Sequence, residues 1–494
     1  MQTKQTKRAN KTLQIAGLFK PRRLLVLLFT LALAACAALP EREKAPSMKP
    51  IRDYSTDRMF AGAERAWPSD KWWTTYGDTQ LDTLIAEGLA DSPSIATAQA
   101  RLRKAQSFVY VARAANQPQV SANASATSQK LSNNYITPPQ ATPQGWNDYG
   151  RATLDLSWDL DLWGRNRAAL AAATSEAEAA RADVAQARLV LSTAIASAYA
   201  ELAREFAALD TAQAAFEVRV KTSDLFRRRF DHGLETLGSV RQVDARRASA
   251  EADVLAVNEQ ISLQRNRLAA LLGAGPDRGL TIARPAVNLA EPVGLPPQLS
   301  ADLLGRRPDI TAARLRAEAS GKRIDQAQAA FYPNVNLVAF VGVQSLGLDK
   351  LTRNGSEIGS VGPAISLPIF DGGRLRGQLR GADADFAQAV ADYDHTVVQA
   401  LQEVADAATS QRALGGQLTK TGEAVDAARE SWRIQNNRYE GGLSTYLEVL
   451  TAEDTLLSNL RVLSDLQSRS FTLDVALVRA LGGGYSPLQL AAQN

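Results

Sequence analysis

The 494-residue chain has one cysteine and two histidines, His232 and His395. No intrachain disulfide can form, and no Cys/His constellation able to hold a metal can be drawn. A Gly-x-x-x-x-Gly-Lys phosphate loop and a Gly-x-Ser-x-Gly elbow are both absent. Paired acids such as Glu176 and Glu178 fall in long helix-like stretches, where a solvated face is their ordinary role. These absences point away from an enzyme and from any cofactor, so work must be supplied by a partner. Linkers rich in Gly/Ser or Pro are missing too, although the length exceeds what one ordinary core holds. One extended body is expected.

The net charge of +4 looks like a nucleic-acid signal until the charges are located. Lys4, Lys7, Arg8, Lys11, Lys20, Arg22 and Arg23 all precede the cysteine, with no acid among them. Removing these seven from 56 basic residues leaves 49 against 52 acids, a net of −3 for the remainder. After them comes an apolar run, Leu24 to Ala35, too short for a membrane-spanning helix but ordered as an export signal. The run ends at Leu33-Ala34-Ala35-Cys36, which resembles a bacterial lipobox. That resemblance implies cleavage before Cys36 and lipid (palmitate) on the new terminus, while Ala37, in place of Asp, resembles lipoproteins sent to the outer membrane. A plain signal peptide or a buried cysteine is the alternative.

What the chain does contain is itself, twice. Pro93 to Val120 and Pro308 to Val335 superpose without a gap at an offset of 215, pairing Pro93 with Pro308 and Arg101 with Arg316. At an offset of 209, Gly164-Arg165 pairs with Gly373-Arg374, Gly233-Leu234 with Gly442-Leu443, and Leu272-Gly273 with Leu481-Gly482. A constant offset over such a span is the mark of packed rods rather than loops.

Each copy begins with helical spacing, as in Leu81, Leu84, Ile85 and Leu89, with a restart at Ser92-Pro93. The period then becomes two. Ala152, Leu154, Leu156, Trp158, Leu160 and Leu162 alternate with Arg151, Thr153, Asp155, Ser157, Asp159 and Asp161; Val335 to Val343 alternates likewise, and Val361, Ile365, Leu367 and Ile369 share one parity. Turn-rich links, Ser132 to Asp148 and Gly347 to Glu357, make one hairpin per copy. A soluble sandwich would alternate in the same way. In an exported chain, strands of about 10 residues also fit a transmembrane barrel. Four strands cannot close one, since about 8 is the practical minimum, so subunits must share it. Each hairpin leads into a long Ala-rich helix, about Arg165 to Asp231 and Arg374 to Glu440, with Ile195, Leu202, Leu209 and Phe216 seven apart as a heptad seam beside Phe206 and Val220. The chain turns at His232-Gly233 or Gly441-Gly442. A returning helix follows, with Leu456, Leu460, Leu463, Leu473, Leu477 and Leu481 as its seam.

Several motifs in this order resemble the outer-membrane efflux proteins, the TolC-like ducts, and among them the lipoprotein branch serving resistance-nodulation-division (RND) multidrug pumps. They are Trp72-Trp73 with Tyr76-Gly77-Asp78; Trp158-Asp159-Leu160-Asp161-Leu162-Trp163-Gly164-Arg165; Leu268-Ala269-Ala270-Leu271-Leu272-Gly273; Arg306-Arg307-Pro308-Asp309-Ile310; and Arg438-Tyr439-Glu440-Gly441-Gly442-Leu443. The resemblance implies a mainly α fold with a membrane β-barrel: a homotrimer pooling twelve strands, a coiled-coil α-helical tunnel in the periplasm, an adaptor (membrane fusion) protein, and an inner-membrane RND transporter. The expected division is 1–35 signal peptide, 36–117 lipidated segment and first helices, 118–163 first hairpin, 164–276 first helical hairpin, 277–332 linker and first helix of the second copy, 333–370 second hairpin, 371–484 second helical hairpin and 485–494 tail.

By the same resemblance the helical tips carry the functional residues. Leu447, Glu448 and Thr451 are the expected constriction, Thr451 standing where efflux lipoproteins usually place an acid. Three Glu448 side chains would form a ring of like charge attracting cations; a solvated rim residue is the plain alternative. Gly233, Leu234, Thr236, Gly442, Leu443 and Thr445 are the expected adaptor-docking set, the glycines also serving as ordinary turn residues. The function implied is a passive exit duct for small toxic compounds, with no nucleic acid involved. A type I secretion duct or a lipid-anchored coiled-coil scaffold without a lumen are the alternatives, and the cargo is not legible.

Overall fold

The structure, a computed structural model, describes residues 46–56, 58–60, 66–134, 138–286 and 299–486. Cys36 and the leader lie outside these residues, as do 287–298 and 487–494. The elements run α1 (Thr79–Asp91), α2 (Pro93–Ala114), β1 (Gln119–Gln129), β2 (Asn147–Asp159), α3 (Arg165–Asp231), α4 (Leu237–Leu271), α5 (Asp277–Leu280), α6 (Leu299–Arg306), α7 (Pro308–Ala329), β3 (Asn334–Leu346), β4 (Glu357–Ser366), α8 (Arg374–Glu440) and α9 (Tyr446–Ala480). The duplication is visible in their lengths. Helices α3 and α8 have 67 residues each, α4 and α9 have 35 each, and α2 and α7 have 22 each.

Two compact units divide the chain. One contains the sheet and comprises Ala105–Glu176 and Arg316–Val390. Its four antiparallel strands lie in the order β1-β2-β3-β4, so both hairpins are joined through the β2–β3 ladder. Register puts like with like. Val120, Leu156, Ala339 and Val361 form one cross-strand row, and Ala122, Leu154, Val341 and Gly359 the next. On the other face Ser121, Asp155, Phe340 and Ser360 align. Because side chains alternate with period two, a one-residue slip would invert both faces. The apolar face is uncovered: Leu154 is 53% exposed, Val341 63% and Val361 76%. At the helix end of the strands, Trp163 stacks on Tyr332 with centroids 4.9 Å apart and donates from Nε1 to the Pro333 carbonyl at 2.8 Å.

The alternation in the fourth strand extends further in the sequence than in the structure. Strand β4 ends at Ser366, so Leu367 and Ile369 fall beyond it. Pro368 explains the stop, because it has no N–H to donate and restricts the residue before it. Ile369 and Phe370 follow at 93% and 92% exposure.

The second unit comprises Met48–Lys104, Ala177–Leu315 and Ala391–Asn494. Its largest buried cluster joins Trp72, Leu81, Leu84 and Ile85 to Ile195, Tyr199 and Leu202 of α3, Leu268 of α4, and Phe471 and Val475 of α9. The Tyr76-Gly77-Asp78 motif organises this cluster. Asp78 caps α1 by accepting from Gln80 N at 2.9 Å and Leu81 N at 3.3 Å. Its other oxygen accepts from Tyr199 OH at 2.7 Å and Ala286 N at 2.8 Å. The Arg307-Pro308-Asp309 motif does the same in the second copy: buried Arg307 donates to Asp309, to Glu403 at 2.7 Å and to the Ala480 carbonyl at 3.0 Å. A second cluster, Leu303, Ile310, Tyr393, Val397 and Leu477, packs beside it.

The heptad seam of α3 is not followed along its whole length. Ile195 and Leu202 are fully buried, but Leu209 and Phe216 are half-buried, and the buried stripe nearer the tip is Ala212, Ala215, Arg219, Ser223 and Phe226. The line of sevens that stays buried throughout is Leu191, Ala198, Glu205, Ala212, Arg219 and Phe226, so Leu209 and Phe216 stand at the margin of the contact face. Among the described residues, no helix is long and apolar enough to cross a membrane.

Gly342 lies where β2 and β3 come closest: a Cβ there would sit 2.1 Å from the Ala152 carbonyl oxygen. At Gly359 the nearest atom would be 3.4 Å away. G342A should therefore lower the thermal stability of the sheet by about 2 kcal/mol or more, whereas G359A should change it by less than about 1 kcal/mol. Thermal melts of the two variants followed by circular dichroism check this, and equal melts would contradict the reading.

Candidate functional site

The two helical tips are built identically. Arg229 C=O accepts from Leu234 N at 2.8 Å and Phe230 C=O from Gly233 N at 2.9 Å; in the second copy Arg438 C=O accepts from Leu443 N at 2.7 Å and Tyr439 C=O from Gly442 N at 3.0 Å. Each is a Schellman ending, which needs a left-handed residue at its turn. Gly233 at φ 68° and Gly442 at φ 70° supply it without steric cost. Thr236 and Thr445 then cap the returning helices, Thr236 Oγ1 accepting from Ser239 N at 3.1 Å. This leaves Leu234 and Leu443, 65% and 74% exposed, on the outside of each turn.

Leu447, Glu448 and Thr451 lie together on the exposed side of the first turns of α9. Leu447 is 61% exposed. The Glu448 carboxylate turns back to accept from Thr445 N at 3.4 Å and Oγ1 at 3.2 Å, so it serves the helix N-terminus. Thr451 Oγ1 donates to the Leu447 carbonyl at 2.8 Å, within its own helix. The structure thus places Gly233, Leu234, Thr236, Gly442, Leu443 and Thr445 in two equivalent turns and Leu447, Glu448 and Thr451 on the helix that leaves the second. Cys36 lies outside the described residues.

Beside the expected residues is a cluster that sequence reasoning missed. Arg219 of α3 has a side chain only 7% exposed and faces Glu453 of α9, 5% exposed, with Nη1 3.4 Å from Oε1. Neither atom completes a hydrogen bond there. The other Arg219 nitrogen donates to Asp454, which also accepts from Arg246 of α4 at 2.8 Å. Farther along α9, Arg461 pairs with Asp253 at 3.0 Å. Aromatic contacts continue the connection: Tyr446 packs on Phe226 at 4.4 Å and on Tyr439 at 5.2 Å, and Tyr439 OH accepts from Arg229 at 2.8 Å. In the Arg219, Arg246, Glu453 and Asp454 cluster the first copy supplies the cations and the second the anions, whereas the Arg461–Asp253 pair runs the other way. A clue was present in the offset of 209, which pairs Asp244 with Glu453.

Those two equivalent acids titrate in opposite directions. Burial pushes Glu453 above the ordinary 4.5, an effect Arg219 only partly offsets. Asp244 is held below the ordinary 3.8 by hydrogen bonds from Ser223 at 2.8 Å and Arg227 at 2.7 Å. An acid with a raised value favours the fold most when protonated, so the Glu453 contribution is present at low pH and lost as pH rises through its raised value. Asp244 contributes in the opposite sense: its stabilisation is present above pH 3.8 and lost as pH falls through its lowered value.

With this geometry in hand, residues 84–274 and 299–483 match the outer membrane efflux protein family, and the chain belongs to it. Its location is the outer membrane, and its class is the TolC-like channel. The fusaric acid resistance protein FusA of Burkholderia cepacia is 40% identical over 369 residues, 73% of this chain and 69% of that one. The multidrug resistance outer membrane protein MdtP of Escherichia coli K12 is 33% identical over 465 residues, 92% of this chain and 95% of that one. Among solved structures, the outer membrane protein VceC of Vibrio cholerae superposes with a TM-score of 0.81 at 51% identity, covering 85% of this chain and 100% of that one.

Replacing Glu453 by Gln should flatten the pH dependence of local opening at the start of α9, which in the parent becomes easier as pH rises above about 4.5. D454N, which removes the charge shared by Arg219 and Arg246, should ease that opening by about 1–2 kcal/mol after allowance for the exposure of Asp454. Amide hydrogen exchange across pH checks both; a parent whose protection increases with pH would contradict the Glu453 assignment.

Proposed function

We propose that the chain is the passive exit duct of a tripartite efflux system, working as a homotrimer with a periplasmic adaptor and an RND-type inner-membrane transporter. One observation carries this reading: a four-stranded sheet with one face apolar through its middle rows and, among the described residues, two unpaired edges, β1 and β4. Lipid tolerates an apolar face but not an open edge, because unpaired backbone groups find no water there. Closure requires further copies. Since each contributes an even number of antiparallel strands, β4 of one meets β1 of the next antiparallel and the alternation survives around the ring. The proposed three copies give twelve strands.

The names of the relatives support efflux over the alternative of polypeptide secretion or a scaffold. The duct performs no catalysis and holds no cofactor; the transporter supplies the energy and selects the cargo. Acylation at Cys36 anchors the mature chain to the outer membrane. The exposed leucines of the tips, with Gly233, Thr236, Gly442 and Thr445 shaping the turns, receive the adaptor. Leu447, Glu448 and Thr451 narrow the closed end, and the ion cluster joining α9 to α3 and α4 must part if α9 is to move aside.

Purified protein should sediment as a trimer in mild detergent and give single-channel steps in planar bilayers. L443D, placing a charge on an exposed turn, should abolish capture of the adaptor while leaving conductance intact. A monomer without conductance would sink the proposal.

A further inference from the structure

The polar face of the sheet is sparing with charge. Of the residues on that face in the four described strands, three ionise: Arg151, Asp155 and Asp159, all on β2. Asp159, at the helix end, is neutralised by Arg165 at 2.9 Å. Arg151 and Asp155 remain. Asp155 is held in place by Asn123 Nδ2 at 2.9 Å and Thr153 Oγ1 at 2.7 Å, so its carboxylate is fixed from β1 and from its own strand. Asp155 is the cross-strand partner of Phe340 on β3. Arg151 leans along the sheet until its guanidinium lies over the Phe340 ring, 5.3 Å from the centroid. A cation, an aromatic plate and an anion thus meet on a face otherwise made of Ser, Thr, Asn, Gln and small or apolar residues.

We propose that Arg151, Phe340 and Asp155 form a charge-balanced layer of the barrel whose balance sets its ion preference, separate from the helical tips. This rests on the duct reading, in which the polar face lines the bore. Each copy adds one fixed positive and one fixed negative charge at nearly the same height, so a ring of copies carries both signs around one circumference. Fixed charges beside a water-filled passage set which ions concentrate there. With both present the layer is close to neutral and passes ions of either sign; its balance is easily tipped. Stacking on Phe340 keeps the guanidinium from collapsing onto Asp155, which would cancel the pair, and a cation over an aromatic face is itself favourable. The chemistry served is that of organic solutes carrying a charge and an apolar ring, for which the layer offers a carboxylate, a guanidinium and a phenyl plate together.

Reversal potentials of single channels in a potassium chloride gradient test this. R151Q leaves a ring of carboxylates and should raise the cation-to-anion permeability ratio about twofold or more, while D155N should lower it by a similar factor. The double variant should return near the parent. N123D, which adds a carboxylate at the cost of the Asn123–Asp155 hydrogen bond and leaves Arg151 in place, should shift the ratio in the same direction as R151Q and covers the case in which R151Q does not insert. Conducting channels whose ratio is the same in all four variants would overturn the proposal. A parent that gives no channels would instead remove the duct reading beneath it.

Discussion

The backbone of the sheet sets the terms for everything else. Its strands satisfy one another through three antiparallel ladders and leave the outer edges of β1 and β4 open, while one face is apolar and uncovered. Water penalises the face and lipid penalises the edges. In the proposed assembly the two demands are met by continuing the sheet through other copies, a closure that rests on unpaired N–H and C=O groups more than on any side chain. The even strand count per chain makes such continuation regular.

The duplication placed the same turn at both tips and then let the surroundings diverge. Gly-Leu-x-Thr is retained in both, as Gly233-Leu234-Glu235-Thr236 and Gly442-Leu443-Ser444-Thr445, because the Schellman ending and the N-cap need those residue types. Eleven and eight residues beyond Gly233 and Thr236, Asp244 sits among Ser223, Arg227 and Arg241, whereas its counterpart Glu453 is shut against Arg219. Burying an ion pair is a poor route to stability. What the pair does is tie α9 of the second copy to α3 of the first.

Much of the fold was legible because it is periodic. The long helices and the strand faces show as spacings, and the second copy gives each assignment an internal check. Misreadings came in two places: Pro368 ended β4 early, and the seam of α3 was placed on Leu209 and Phe216 although the line of sevens that stays buried runs through Ala212, Arg219 and Phe226. The tip turns were legible through their glycines. The Arg219, Glu453 and Asp454 cluster was not, since charged residues in a helix read as solvated and the partners stand more than 230 positions apart. Asp78 was noticed as part of a motif, but its bond to Tyr199 depends on a contact 121 residues away.

Equal helix lengths in the two copies carry a consequence for symmetry. In the proposed trimer, three chains, each made of two nearly congruent halves, would present six quasi-equivalent sectors rather than three. A single amino-acid change would then alter every other sector around the rim, and the ring would become a mosaic of two alternating kinds of site, one with Asp244 among Arg227 and Arg241 and one with Glu453 shut against Arg219, that a ring of six identical halves could never display.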